Sequence, residues 1–478
     1  MIGDTMSVRS NFIWNTSYQV VRILTPLITT PYLTRVLGSD ALGTYSYTYT
    51  IAMYFTYFCQ LGLSQYGNRE IAKARKDEQK LPRVFTSIFV MQASFGAIVS
   101  IFYAAFALFM SGNLRPLMAA WAIWVLAEAV DISWFFYGIE DFRKMTIRNL
   151  LVRLLVIVSI FIFIKCPDDL PVYCLLQALA FGLNSWILWV MLKGRVRFVR
   201  VTAKEVIAHI KPNLLLFAPV IAISCYTQLN KLFLGFFAGM SEVAYYDNAD
   251  KIVVIPLAVI QSLGTVMLPR MSNVVSAGDE GSASRYLSLS SWLSQAMAFG
   301  LMFGIAGVAQ EFVPVFFGEG FERCATLMPL LSLIIPICAW SNVLGVQYLI
   351  PHERDREYLV SVVAGAIVNI GMCLLLIPSY GAFGAAVSTV VAEMTVSVAQ
   401  SIFSRFLPLG SFLRDVAPFV IAGLCEMAVA RGLGALLGCS VLGLVGEIAI
   451  AGFAYVLVSL LLLAAKRDRH LKQILRKQ

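Results

Sequence analysis

Five residues at helical spacing inside an apolar stretch mark where chemistry begins in this chain. Asn15, Gln19, Arg22, Pro26 and Thr29 stand four, three, four and three positions apart in NFIWNTSYQVVRILTPLITTPYLTRVL, residues 11–37. That spacing places them on one face of a helix. The stretch is long enough to cross a bilayer, whose hydrocarbon core takes roughly 20 residues. Arg22 falls near its middle, where a cation costs about 2.5–3.5 kcal/mol on insertion scales. A lipid-facing helix does not carry that cost, so the stripe is expected to face a polar cavity, with the chain as the wall around it.

Other ionisable residues fall in equally apolar surroundings. Arg35, Arg153, Lys231 and Lys251 lie within apolar runs or close to their ends, as do Glu128, Asp131, Asp247, Asp250, Glu393, Glu426 and Glu447. Such groups are functional hypotheses by default. Lys231 follows Gln228 and Asn230 and is expected in a cavity wall. Asp247 and Lys251 are four apart with the acid first, a spacing that suits either a helical ion pair or a site. Arg35 and Arg153 are close enough to run ends to snorkel or to line a site. Glu426 and Glu447 read as helix-pairing residues. Tyr45, Tyr47, Tyr49, Tyr54 and Tyr57 crowd the second run; an aromatic belt with helix packing and a sugar-stacking wall both fit, and Tyr54 and Tyr57 lie deepest.

The elements that position these groups are membrane helices. The 478 residues are 59% hydrophobic and 14% charged, with a mean hydropathy of +0.77, whereas soluble domains carry about 25% charged residues. The runs are continuously apolar rather than alternating, which argues for helices over a β-barrel. No cleavable signal peptide is expected, because the first run is too long and contains Arg22. Fourteen spans are expected near 12–36, 42–66, 84–110, 116–138, 148–164, 172–192, 212–237, 243–268, 287–310, 325–350, 358–377, 383–404, 415–436 and 441–465. With the N-terminus inside, 28 of the 37 basic residues fall in inside segments, and the outside loops hold only Arg115, Lys165, Arg323 and Arg431. Both termini are therefore expected in the cytoplasm. That bias accounts for the net charge of +9 and leaves nucleic-acid binding without support; a few of these cations are expected to meet anionic headgroups of the phospholipid bilayer.

A weak internal repeat divides the chain. A shift of 202 residues lays Ser39-Asp40 on Ser241-Glu242 and Gly62 on Gly264. The expected architecture is an all-α polytopic bundle of two pseudo-symmetric six-helix lobes around a central cavity. Residues 1–192 form the first lobe, 193–211 a basic cytoplasmic linker, 212–404 the second lobe, and 405–478 two extra spans with a basic tail. Arg22 and Lys231 would then face one another. Catalytic chemistry finds no foothold. The nine cysteines form no Cys-x-x-Cys pair, His209, His352 and His470 are scattered, and no metal-ligand spacing or phosphate-binding glycine loop occurs.

Asp131-Ile-Ser-Trp134-Phe-Phe-Tyr-Gly138-Ile-Glu140, followed by Thr146-Ile-Arg148-Asn149 and Val152-Arg153, resembles the span 4–5 signature of bacterial polysaccharide flippases. These are the Wzx-like O-antigen transporters of the multidrug/oligosaccharidyl-lipid/polysaccharide exporter superfamily. Asn369 with Ile377-Pro-Ser-Tyr-Gly381-Ala-Phe-Gly384 looks like that family's span 11–12 turn, and Leu33-Thr-Arg35-Val-Leu-Gly38 with Gly43-Tyr45 like its span 1–2 turn. The resemblance implies movement of an undecaprenyl-diphosphate-linked oligosaccharide to the outer leaflet of a bacterial inner membrane, with polysaccharide polymerase machinery as a partner. A diphosphate crossing hydrocarbon needs fixed cations: Arg22, whose planar fork suits phosphate oxygens, and Lys231 are the expected pair. Arg35, Arg153 and Lys251 are further candidates, with Asn15, Gln19, Tyr54 and Tyr57 toward the sugars. No cofactor is implied beyond a coupling H+ or Na+, for which Glu128, Asp131, Asp247 and Asp250 are candidates.

Two other classes compete. A multidrug or cation antiporter of the same fold calls for a mainly acidic cavity, against which Arg22 and Lys231 stand. A membrane-embedded polymerase or ligase calls for polar catalytic residues in a large outer loop, and the expected outer loops are short and free of histidine.

Overall fold

Inside a bilayer each backbone N–H and C=O must find its partner within its own segment, so continuous apolar runs fold as helices. The computed structural model describes residues 8–110, 112–404, 409–466 and 468; the side chains of 8–20, 22, 23 and 409–413 stand outside that description. Among the described residues there is no strand. Eleven described helices are long and apolar enough to cross a membrane, against fourteen expected. Two elements account for part of the difference, because each is a pair of helices joined at a glycine.

The chain divides into two compact units, Met1–Ser224 and Cys225–Gln478; the division falls inside a helix rather than in the basic segment 193–211. The first unit holds α1 (Val8–Gln60), α2 (Leu63–Ala74), α3 (Lys80–Phe109), α4 (Leu114–Ala129), α5 (Ser133–Gly138), α6 (Phe142–Phe163), α7 (Leu170–Leu192), the short α8 (Ala203–Ala208) and most of α9 (Ile210–Thr227). The second holds α10 (Leu229–Phe237), α11 (Met240–Ser276), α12 (Glu280–Phe316), α13 (Cys324–Ser332), α14 (Ile334–Leu344), α15 (Asp355–Ser404), α16 (Leu409–Leu437) and α17 (Val441–Ala465).

Reversal within a continuous helical element needs a residue free of a Cβ. Gly38 breaks α1 at φ 75°, ψ 177°, a region open essentially to glycine alone. Gly239, which precedes α11, sits at φ 100°, ψ 167°. Under the 202-residue shift read in the sequence, Gly38 falls one residue past Gly239. Gly381 breaks α15 at φ 54°, ψ −132°.

Association of membrane helices rests on close packing rather than on expulsion of water. In the first unit, Trp134, Phe135, Phe85, Tyr66 and Leu63 form a buried cluster. Tyr45 and Tyr49 belong to a second aromatic group with Trp121, Trp124, Tyr173 and Phe181; such ring pairs are worth about 0.5–1.5 kcal/mol each beyond area burial. These two tyrosines therefore follow the packing reading. In the second unit, α16 and α17 dock on α12 across small residues: a Cβ added at Gly423 would lie 2.0 Å from the Phe303 ring.

Candidate functional site

Two polar centres lie in the apolar units, one in each. In the second unit, the turn at Gln228 interrupts the helical run between α9 and α10, and it brings Lys231 beside α11. Lys231 is 7% exposed and Asp247 3%. The Lys231 ammonium lies 2.6 Å from Asp247 Oδ1 and donates to Gln228 Oε1 at 3.0 Å. Lys251, one turn along α11, lies 2.6 Å from the other carboxylate oxygen of Asp247. Asp250 stands within electrostatic range of all three.

Two lysines and two aspartates thus balance. A buried charge is tolerated where partners and hydrogen bonds surround it. The helical pair Asp247–Lys251 is present, and Lys231 extends it across helices. A phosphate oxygen reaching the Lys231 ammonium competes with Asp247 and Gln228 for its N–H donors, whereas the half-exposed Lys251 side chain offers easier approach. Beside this cluster, Asn230 donates to the Tyr246 and Thr389 hydroxyls at 3.0 and 2.7 Å and accepts from the Cys373 thiol. Asn230, noted in the sequence as a polar neighbour of Lys231, is buried.

The first unit is organised by a break in the fourth span. Between α4 and α5 the helix stops at Val130 and restarts at Ser133, which leaves carbonyls of the last turn needing donors. Gln92 on α3 donates to the Glu128 and Asp131 carbonyls at 3.2 and 2.8 Å, and accepts from Trp134 Nε1 at 2.8 Å. Trp189 Nε1 donates to the Val130 carbonyl at 2.9 Å. The Asp131 carboxylate, 6% exposed, accepts from the Ser133 N–H at 2.9 Å, from the Ser133 hydroxyl, and from the Ser185 hydroxyl at 2.9 Å. It caps the restart of the helix. Glu128 points elsewhere, accepting from Gln60 Nε2 and, at 3.0 Å, from Trp124 Nε1. Gln60 and Gln92 are not among the residues the sequence marks out; the signal for them is an uncharged amide inside an apolar run.

The remaining expected residues are dispersed. The side chains of Asn15, Gln19 and Arg22 lie outside the described residues. Thr29, the end of that stripe, is buried and its hydroxyl donates to the Thr25 carbonyl at 3.0 Å, so its polarity is met within the helix. Arg35 is exposed and donates to the Pro31 carbonyl at 2.7 Å; Arg153 is partly buried on α6. The Tyr54 hydroxyl donates to the Ser224 carbonyl at 2.9 Å, and its ring meets Tyr57 edge-on. Arg148, placed by the charge pattern in an inside loop, is 8% exposed and grips Asn149 Oδ1 and the Asn184 carbonyl. Glu426 and Glu447 are buried on α16 and α17, with Glu426 Oε1 facing Gly304 of α12. Among the described residues, no group of three or more His, Cys, Asp or Glu is arranged to hold a metal ion.

Comparison with known proteins bears on this arrangement. A family model described as "Polysaccharide biosynthesis protein" matches residues 8–275. The chain is 22% identical over 413 residues to a protein of Escherichia coli (strain K12) named as an O-antigen transporter, covering 85% of this chain and 98% of that one. Among solved structures it is similar to lipid II flippase MurJ in an inward closed conformation, with a TM-score of 0.76 and 13% identity over 96% of this chain and all of that one. It is also similar to an inward-facing multidrug resistance MATE family transporter of the MOP superfamily, with a TM-score of 0.64 and 14% identity over 82% and 95% of the two chains. At such identities the structural likeness speaks to the fold.

Proposed function

We propose, for a chain that belongs to the polysaccharide biosynthesis protein family, that it is a flippase for an undecaprenyl-diphosphate-linked oligosaccharide. It moves this substrate from the inner to the outer leaflet of the bacterial cytoplasmic membrane, with both termini in the cytoplasm. The observation that carries the reading is end-to-end similarity, over 98% of its length, to a protein named as an O-antigen transporter. The fold shared with a lipid II flippase is consistent with it.

Physical chemistry supports the same reading. A lipid diphosphate brings negative charge and a hydrated glycan into a low-dielectric layer, so its carrier needs cations and polar walls at depth. Arg22 offers a planar fork for phosphate oxygens. Lys251, held by Asp247 yet half-exposed, offers a second cation, and Lys231 joins once its carboxylate partner is drawn away. The two-unit plan suits alternating access, with an ion gradient as the driving force and the glycan polymerase machinery taking up the product.

The test is genetic. Deletion of the gene is expected to abolish a surface polysaccharide, the intact gene to restore it, and Arg22→Ala to fail. Full restoration by Arg22→Ala removes that residue from the mechanism. A multidrug antiporter is the second reading, favoured by the fold shared with a multidrug transporter and by Glu128, a carboxylate without a cation partner among the described residues. Export of cationic dyes by the purified protein, with no movement of lipid-linked glycan, decides for it.

A further inference from the structure

Four carboxylates are candidates for binding a coupling ion, and their surroundings separate them. Asp247 holds a lysine on each oxygen, so its charge is already matched. Asp250 shares the field of the same two lysines. Asp131 is engaged by three donors that cap α5, and protonation there would weaken the joint of a broken helix. Glu128 has none of these commitments.

Its two oxygens meet the Gln60 amide on α1 and the Trp124 indole N–H, both neutral. No ion pair among the described residues engages it. The titratable groups near it add no positive charge: Asp131 on its own span and the Cys59 thiol on α1. Gln92 of α3 donates to the Glu128 backbone carbonyl and Ser185 of α7 to the Asp131 carboxylate, and neither titrates. An ionised carboxylate in such a place carries a desolvation cost that no cation offsets, and a bound proton removes it.

We propose that Glu128 is the proton-carrying group of the first unit and that Gln60 is the residue that positions it in both protonation states. An amide serves both: its N–H₂ donates to the carboxylate, and its carbonyl, after a half-turn, accepts from the carboxylic acid. The carboxylate takes one proton from water on one side and returns it to water on the other, with no other bond made or broken. Sodium is the poorer fit, because a turned Gln60 would add one carbonyl oxygen and the Trp124 indole none, whereas hard cations take several oxygen ligands. Use of the proton for transport rests on the flippase reading; the proton site itself does not.

The experiment uses the full-length protein in lipid nanodiscs and in vesicles. Infrared difference spectra between about pH 8 and about pH 5 are expected to contain one protonated-carboxyl component that Glu128→Gln removes and Gln60→Leu shifts. An unchanged spectrum in Glu128→Gln overturns the proposal. In vesicles loaded with undecaprenyl-diphosphate-linked glycan, an imposed proton gradient is expected to accelerate glycan movement by the wild type, and Glu128→Gln to lose that acceleration. Equal acceleration in both, or acceleration by a sodium gradient in place of protons, also overturns it. If the wild type shows the carboxyl component but moves no glycan, the flippase reading falls and the proton site stands. Should Glu128→Gln fail to fold, Gln60→Leu carries the test, and an unshifted carboxyl component there counts against the proposal.

Discussion

Replacing Asp247 by asparagine removes the carboxylate that two lysines share. Lys231 is left buried, with Gln228 Oε1 as a hydrogen-bond partner and Asp250 at longer range. Breaking a buried pair by removing one partner costs about 3–5 kcal/mol, and the residual field of Asp250 places the loss near the lower end. Lys251→Met removes a half-exposed i,i+4 partner, worth about 0.3–0.5 kcal/mol. Lys231→Met falls between, because Asp247 keeps Lys251. For domains of 150–250 residues about 1 kcal/mol shifts Tm by about 2–4 °C, so Asp247→Asn should lower the melting of the second unit by about 6–12 °C. Thermal unfolding of the purified protein in nanodiscs, followed by tryptophan fluorescence, reads the difference. The Lys231→Met/Asp247→Asn double variant should recover much of the loss, since neither buried charge is then stranded. An Asp247→Asn variant no less stable than Lys251→Met, or a double variant showing the sum of the single losses, refutes this.

The joint in the fourth span gives a second test: Asp131→Ala strips the cap from Ser133 and leaves the Ser185 hydroxyl without its acceptor, at about 1–3 kcal/mol, measurable as faster hydrogen exchange across residues 130–138. Gly38→Ala and Gly239→Ala should each cost about 1–3 kcal/mol because both require a conformation closed to alanine; a smaller loss at either in thermal unfolding would argue against that requirement. Asp279 caps α12 by accepting from Ser282 N–H at 2.9 Å, and bonds from Ser282 hold its carboxyl below the ordinary carboxylate value. Its contribution is therefore full above that ordinary value of about 3.9 and is lost as pH falls through the lowered one. The stability gap between wild type and Asp279→Ala should close on acidification, in chemical or thermal unfolding.

Legibility followed distance along the chain. The helical class was readable, because apolar run length and three-to-four-residue spacing are local properties. The Asp247–Lys251 pair was readable for the same reason, being one turn apart on α11. What the amino-acid order could not display was the company each group keeps across helices. Lys231 reaches Asp247 from a different helix, and Gln60 meets Glu128 across 68 residues of sequence. Asp131 looked like Glu128 until Ser133 and Ser185 claimed it, and Arg148 looked like a loop cation until Asn149 and the Asn184 carbonyl took it in. Periodicity states which side of a helix is polar; only the packing of one helix against another states which polar groups there already have partners, and in a medium that supplies no water that decides which of them are left to bind something else.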